Sequence, residues 1–175
     1  MAPLKTRSRS AVSDLQEAPT ADQARTIVLN SLNYSAKTRK QLHDLLVDRG
    51  VEQDVIKEVL DRFEEVGLVD DRDYAHEWVR SRHTSRGLSR KVLKQELNQR
   101  GVDPDYIDEA LEQVTPNTEI EAATTLATKK LRSMRDVAPA AQTRRCLAAL
   151  ARRGYGYEVA ALAIERARIE SESAD

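Results

Sequence analysis

Apolar residues recur along the chain at spacings of three and four, the period of helices that bury one face. From Thr20 onward almost the whole sequence follows this pattern. Thr20 with Gln23, and Thr118 with Glu121, resemble capping boxes, and Asp103 before Pro104 is typical of a helix start. The pattern predicts helices over residues 21–33, 38–49, 52–66, 71–84, 88–100, 103–114, 119–133, 139–153 and 156–170.

Three arginine–glycine pairs mark an internal repeat. Their glycines, Gly50, Gly101 and Gly154, are 51 and 53 residues apart, and each follows a predicted helix where a residue tolerant of positive φ is favoured. Similar residues surround each glycine at matching offsets: Leu46, Leu97 and Leu150 four before; Leu42, Leu93 and Cys146 eight before; Val51, Val102 and Tyr155 one after; Ile56, Ile107 and Ala160 six after; and Leu60, Leu111 and Ile164 ten after. Such self-similarity is the signature of a repeat protein.

Each repeat has room for three helices. We therefore predict an all-α fold, an elongated array of three tandem three-helix repeats. A unit of about 50 residues buries little surface alone, so contacts between neighbours should supply part of the stability. The predicted divisions are a flexible N-terminal tail over 1–19 and repeats over 20–69, 70–117 and 118–175, the last ending in a short tail.

Composition narrows the class of protein. The chain has 175 residues, 33% of them charged, a net charge of −1 and a single cysteine. No apolar run approaches the roughly 20 residues that span a bilayer, and the basic N-terminus lacks the apolar stretch of a secretory signal. We expect a cytoplasmic monomer that contacts no membrane. Cys146 takes a repeat position occupied by leucine in the other units, which favours a core role.

Charge is concentrated in blocks. Residues 101–128 contain seven acids and no lysine or arginine, whereas 129–153 contain eight cations against Asp136 alone. Such blocks either pair between neighbouring units or face a partner. Between Trp78 and Lys94 there is no carboxylate, and six cations lie in this stretch: Arg80, Arg82, Arg86, Arg90, Lys91 and Lys94.

The repeat separates two sets of cations. Arg49, Arg100 and Arg153 lie at the end of the second helix of each unit, where a cation complements the helix dipole. Lys40, Lys91 and Arg144 lie near the start of that helix, where a cation opposes the dipole, and their spacing from the apolar stripe predicts that they face solvent. A repeated cationic row fits carboxylates or phosphates on a long partner, and solubilisation of the helix is the alternative.

The remaining candidate residues favour packing over chemistry. Tyr74 and Trp78 lie four apart on one helical face, which favours core or inter-repeat packing over an exposed aromatic anchor. Asp70 and Asp71 are placed to cap the helix that begins there. His76 and His83 share a face but rise about 10 Å apart, too far to share a metal ion. We expect no metal site, no cofactor and no catalytic residues.

A family resemblance rests on the middle of the chain. The segments that carry it are Gly67-Leu68-Val69-Asp70-Asp71, Tyr74-Ala75, Trp78, Arg80-Ser81-Arg82, Arg86-Gly87, Leu93-Lys94-Gln95-Glu96-Leu97 and Arg100-Gly101-Val102. In these segments the chain resembles the RecX family, whose members regulate the bacterial recombinase RecA. The resemblance implies three tandem three-helix repeats that bind the RecA nucleoprotein filament. It also implies that they limit strand exchange, ATP hydrolysis and co-protease activity in DNA repair and the SOS response. The third unit departs from the family pattern by an extra residue and an alanine-rich final helix.

The resemblance implies that the cations bind a partner and that the chain is not an enzyme. They would contact RecA carboxylates or the phosphates of single- or double-stranded DNA, through competition or cross-bridging on the filament. Two alternatives stay open: a tandem helix-turn-helix-like protein that binds duplex DNA with a steep salt dependence, and a helical-repeat adaptor for another protein. The candidate binding residues are Arg80, Arg82, Arg86, Arg90, Lys91, Lys94, Lys40 and Arg144, with Trp78 and Tyr74 as the possible aromatic anchor.

Overall fold

The computed structural model describes residues 18–172, and within them the regular structure consists of nine α-helices. The first unit contains α1 (Ala21–Tyr34), α2 (Arg39–Asp48) and α3 (Gln53–Glu65). The second contains α4 (Asp71–Arg86), α5 (Arg90–Gln99) and α6 (Pro104–Leu111). The third contains α7 (Pro116–Arg132), α8 (Pro139–Ala151) and α9 (Tyr157–Glu172). The predicted all-α array of three three-helix repeats is confirmed.

The predicted tails fall largely outside this part of the chain. Of the N-terminal tail, residues 1–19, only the last two lie among the described residues, and residues 173–175 also lie outside them. No helix in the described range is long and apolar enough to cross a bilayer.

Most of the helices begin directly after a residue whose side chain caps the helix N-terminus. Thr20 and Gln23 form the predicted capping box of α1, and Asp103 caps α6 directly before Pro104. The capping box predicted at Thr118 is wrong. The helix begins at Pro116, three residues before the predicted start at residue 119, and the fixed φ of proline suits the first helical position. Thr115 is the N-cap, and its hydroxyl accepts from the Thr118 amide at 3.2 Å.

Each unit has its own hydrophobic core, and the substantial helix packing takes place within units. Every apolar position predicted from the repeat is buried, including Cys146 in the place of a leucine. Gly50, Gly101 and Gly154 all have positive φ, as expected at the ends of the second helices. The repeat in the sequence is therefore a repeat of core positions.

The first and second units meet end to end, at the N-terminus of α2 and the C-terminal end of α5. The Thr38 hydroxyl donates to the carbonyl of Arg100 at 2.7 Å, and the Arg39 amide donates to the Asp71 carboxylate at 2.8 Å. Burial raises the pKa of Asp71, and the hydrogen bond from Arg39 partly opposes this. Asp71 therefore caps a helix of the neighbouring unit, a role that the sequence did not suggest.

The second and third units repeat this junction. The Ser89 amide donates to the carbonyl of Arg153 at 3.0 Å, and the Arg90 amide donates to the Glu119 carboxylate at 2.7 Å. One bond is particular to this junction: the buried Tyr155 hydroxyl donates to the Gly87 carbonyl at 3.0 Å. The second helices thus stack end to end, α8 on α5 on α2, with positive N-termini facing negative C-termini.

The N-terminus of α8 departs from this pattern. The positions of Thr38 and Ser89 correspond to Gln142, which lies inside α8 and donates to the Met134 carbonyl at 2.8 Å. The helix begins three residues earlier, at Pro139, and its N-cap residue makes no side-chain cap. Because proline has no amide hydrogen, this first position needs no carboxylate from another unit. The third unit is built as a terminal repeat.

The junction glycines should be more sensitive to substitution than the equivalent glycine of the first unit. A Cβ on Gly154 would lie 2.4 Å from Val92 Cγ2 and 2.4 Å from Ser89 Oγ, whereas a Cβ on Gly50 would meet nothing within 4 Å. Both positions have positive φ, so both alanine variants carry a similar backbone penalty of about 1–2 kcal/mol. Gly154→Ala should cost a further 1–3 kcal/mol or so, because overpacking displaces a stiff β-branched side chain. Urea denaturation followed by circular dichroism measures the difference, and equal losses would contradict the junction packing.

Tyr155 should make the free energy of unfolding of the array fall at alkaline pH. Burial, and then the negative charge of Glu119, raise the pKa of Tyr155 from 10.0 to about 12, although Arg153 opposes them. The folded protein keeps the phenol proton where the unfolded chain loses it. This contribution to stability is complete below pH 10 and is lost as the pH rises through 12, by about 2–3 kcal/mol.

The control for this effect is Tyr155→Phe, which removes the titrating group and its bond to Gly87. We expect the variant to be less stable at pH 8 by roughly 0.5–1.5 kcal/mol. The gap between wild type and variant should then close and change sign between pH 10 and 12, because only the wild type loses the contribution of the phenol, whereas lysines and other groups titrate in both proteins. A constant gap across that range, measured by thermal unfolding, would show that Tyr155 does not supply the effect.

Candidate functional site

A groove of about 580 Å³ lies where the first and second units meet. Helix α4 forms one side, and the segments 35–37 and 67–68 of the first unit form the other. We call this the first groove, and its lining residues are Ser35, Ala36, Lys37, Gly67, Leu68, Asp70, Asp73, Tyr74, Glu77, Trp78, Ser81, Arg82, Ser85 and Arg86. It brings Tyr74, Trp78, Arg82 and Arg86 together, as the sequence placed them on one helix.

An aromatic and cationic cluster forms the middle of this groove. The rings of Tyr74 and Trp78 stack with centroids 5.7 Å apart and an angle of 16° between their planes. The guanidinium carbons of Arg82 and Arg100 lie 4.1 and 3.8 Å from the Trp78 ring centroid, within the range of cation–π attraction. Trp78 Nε1 donates to the Glu96 carboxylate at 2.8 Å. The cluster fixes the orientation of the indole ring.

Tyr74 and Trp78 also pack against the core of the second unit, as the packing interpretation expected. Both are half-buried, so each presents part of its ring to the groove. Burial raises the pKa of Tyr74, and the charges of Arg100 and Arg82 oppose this increase. Their use as an anchor for a partner stays a prediction.

Arg100 contributes more than its position in the sequence indicated. Its guanidinium donates to the Glu96 carbonyl at 2.9 Å, which is the helix-end role expected for this arginine. It also lies against the Trp78 ring, and its own carbonyl accepts from Thr38 at the junction. Its recurrence with Arg49 and Arg153 is the only signal in the sequence that singled it out.

Several candidate binding cations have partners within their own unit. Three form surface ion pairs: Arg80 with Glu77, Lys40 with Asp44 at 2.5 Å, and Lys94 with Asp108 at 2.6 Å. Pairs of this kind are weak and can exchange for the charges of a partner. The contacts therefore leave a binding role for these three cations open.

Arg90 has a structural role that the sequence did not reveal. Its guanidinium donates to the carbonyls of Leu111 and Val114, at and beyond the end of α6. These bonds satisfy acceptors that a helix C-terminus leaves unpaired. A substitution at Arg90 would disturb the second unit itself, so this residue is a poor probe of binding.

Arg86, Lys91 and Arg144 are exposed, and their side chains make no hydrogen bond or ion pair with any residue in the described range. Arg86 lines the first groove. Lys91 and Arg144, like Lys40, face solvent, as the spacing predicted. Lys40 and Lys91 lie at the start of their helices, but the prediction is wrong for Arg144, which lies in the middle of α8 because that helix begins at Pro139. These are the candidate cations with charge available to a partner.

The charge blocks do not pair across units within the part of the chain that the structure describes. Every ion pair there joins residues of the same unit, as in Arg39 with Asp61 at 2.7 Å. The carboxylates of Asp71 and Glu119 do cross between units, but their partners are backbone amides. Across the same residues, no group of three or more histidine, cysteine or acidic side chains is placed to hold a metal ion.

Models of a known family match each of the three units. They are described as the first, second and third three-helix domains of RecX, and they match residues 24–63, 70–111 and 117–164. The chain is 42% identical over 154 residues to the regulatory protein RecX of Streptomyces coelicolor, covering 88% of this chain and 81% of that protein. It is 43% identical over 151 residues to the regulatory protein RecX of Thermobifida fusca, covering 86% and 80%.

Solved structures show the same fold. The crystal structure of RecX from Lactobacillus salivarius matches with a TM-score of 0.73 and 24% identity, over 85% of this chain and 97% of that one. A second crystal structure, of a regulatory protein RecX, matches with a TM-score of 0.69 and 25% identity, over 79% and 70%. The three domain matches in order, together with close relatives over most of its length, establish that this chain belongs to the RecX family.

Proposed function

We propose that this protein regulates RecA by binding the RecA nucleoprotein filament and restraining its strand exchange, ATP hydrolysis and co-protease activity. The observation that carries the proposal is a set of exposed cations without internal partners, Arg86, Lys91 and Arg144, distributed over successive units of a repeat array. The relatives named as regulatory proteins support a regulatory role.

The end-to-end stacking of the second helices supports a long partner. Lys40, Lys91 and Arg144 each lie ten residues before the glycine that follows α2, α5 or α8, so stacking repeats one positive group along the array. A nucleoprotein filament is itself a repeating polymer that presents carboxylates and phosphates at regular intervals. Complementary charges of this kind mainly guide encounter and fix the register of a complex. Tyr74 and Trp78 in the first groove would add an apolar contact beside the charges.

In this mechanism the chain acts by occupying part of the filament surface and catalyses no reaction. An array that contacts neighbouring filament subunits would restrain the movements those subunits make during ATP hydrolysis and strand exchange. It would also cover part of the bound DNA or of the surface that other proteins use. The protein would act in this way as a cytoplasmic monomer.

The sharpest test reverses two cations that have no structural role. In Arg86→Glu/Lys91→Glu, we expect weaker inhibition of ATP hydrolysis by the cognate RecA on single-stranded DNA, because attraction becomes repulsion. The concentration that gives half inhibition should rise about tenfold or more, which corresponds to about 1.4 kcal/mol of binding free energy. The measurement is a titration of the protein below equimolar amounts.

The matched control is Lys57→Glu/Arg62→Glu, which makes the same change of net charge on α3 of the first unit. It should inhibit like the wild type, and all three proteins should have the same helical circular dichroism. Unchanged inhibition by the first variant would remove Arg86 and Lys91 from the interface. Salt-sensitive binding of bare duplex DNA, with no effect on RecA, would instead support the helix-turn-helix alternative.

A further inference from the structure

A second groove, of about 400 Å³, lies between α7 and α8 of the third unit, with Ser85 of the second unit at its edge. Its lining residues are Ser85, Leu126, Ala127, Lys129, Lys130, Ser133, Cys146, Ala149, Leu150 and Arg153. The α7 residues Leu126, Lys129, Lys130 and Ser133 have the spacing of a single helical face. Residues of α8 line the opposite side, and Ser85 comes from the end of α4. The result is an apolar floor with a cationic and hydroxylic rim.

The α7 face of this groove is equivalent in the repeat to the α4 face of the first groove, but the two grooves differ in charge. Counted along the repeat, Lys130 takes the place of Trp78, and Lys129 takes that of Glu77. The first groove balances three cations, Lys37, Arg82 and Arg86, against three carboxylates, Asp70, Asp73 and Glu77. The second groove has Lys129, Lys130 and Arg153 and no carboxylate in its lining. The same structural position has therefore become a site of concentrated positive charge.

No counter-ion for this charge is found in the described part of the chain. None of the ion pairs there involves a residue of the third unit. Lys129 and Lys130 are exposed, and Arg153 is half-buried at the junction. Like charges around one groove repel each other, and an anion placed between them would relieve that repulsion.

We propose that the second groove binds the phosphodiester backbone of a nucleic acid. Lysine ammonium groups and an arginine are groups that proteins use to hold phosphate oxygens. The hydroxyls of Ser85 and Ser133 already donate to the carbonyls of Ser81 and Lys130, so the cations carry the proposal. The two lysines act as point charges towards phosphate, and arginine can add bidentate hydrogen bonds to phosphate oxygens. The apolar floor, which includes Leu126 and Ala149, can lie against a sugar. This site is separate from the α4–α5 cations and needs no recombinase.

The test measures binding of a fluorescein-labelled oligothymidylate to the full chain without recombinase, by fluorescence anisotropy at several salt concentrations. In Lys129→Glu/Lys130→Glu, we expect affinity at low salt to fall at least tenfold. The slope of log affinity against log salt should become shallower by about 1.4, since each contact to a single-strand phosphate contributes about 0.7. Lys129→Arg/Lys130→Arg should bind like the wild type, because it keeps both charges.

The matched control is Arg145→Glu/Arg166→Glu, two exposed cations of the same unit that do not line the groove. It should keep most of the affinity and the wild-type salt slope. Equal losses in both charge-reversal variants would overturn the site, since net charge would then explain the binding. Unchanged binding in the groove variant would also overturn it. Displacement of the oligothymidylate by polyglutamate at lower concentrations than by unlabelled oligothymidylate would assign the groove to an acidic protein segment instead.

Discussion

The second helix of each of the first two units is completed by its neighbour. The first amides of any α-helix lack intrahelical acceptors, and here the amides of Arg39 and Arg90 find theirs in Asp71 and Glu119 of the following unit. A carboxylate at this position also favours the positive end of the helix dipole. The bond needs close approach, which the glycines that end the second helices permit. Removing a neighbour would leave these first amides without a protein acceptor, while Thr38 and Ser89 would still cap their own helices.

The junction of the first two units forms the first groove, whereas the second groove lies between α7 and α8 with Ser85 of the second unit at its edge. Trp78 and Lys130 can differ completely because neither forms the inter-unit hydrogen bonds. The floor beneath them belongs to the core of each unit. A repeat protein can in this way keep a constant frame while each groove acquires its own chemistry, aromatic and charge-balanced in one case and cationic in the other.

The density of cations in the sequence is a poor measure of the charge offered to a partner. Arg90 is directed to helix-end carbonyls, and Arg100 is held by Trp78 and a carbonyl of its own helix. Arg86 and Lys91, in the same basic stretch, make no such contacts in the described range. In the third unit, the cations within the described range form no ion pairs at all. Whether a cation can bind a partner therefore depends on whether a hydrogen-bond acceptor of the same chain lies within reach of its side chain.

The helices, the division into three units and the core could be predicted from the sequence, because burial of one helical face leaves a local period and a repeat multiplies it. Leu46, Leu97 and Leu150 are buried as their spacing predicted. The error at Thr118 arose where Pro116 offered an earlier start. The sequence did not show which charged residues already have partners, since Arg90 lies 21 positions from its acceptor Leu111. The partner of Arg90 is a backbone carbonyl, and the partners of Asp71 and Glu119 are backbone amides. Nearly every residue carries these groups, so no sequence pattern marks them.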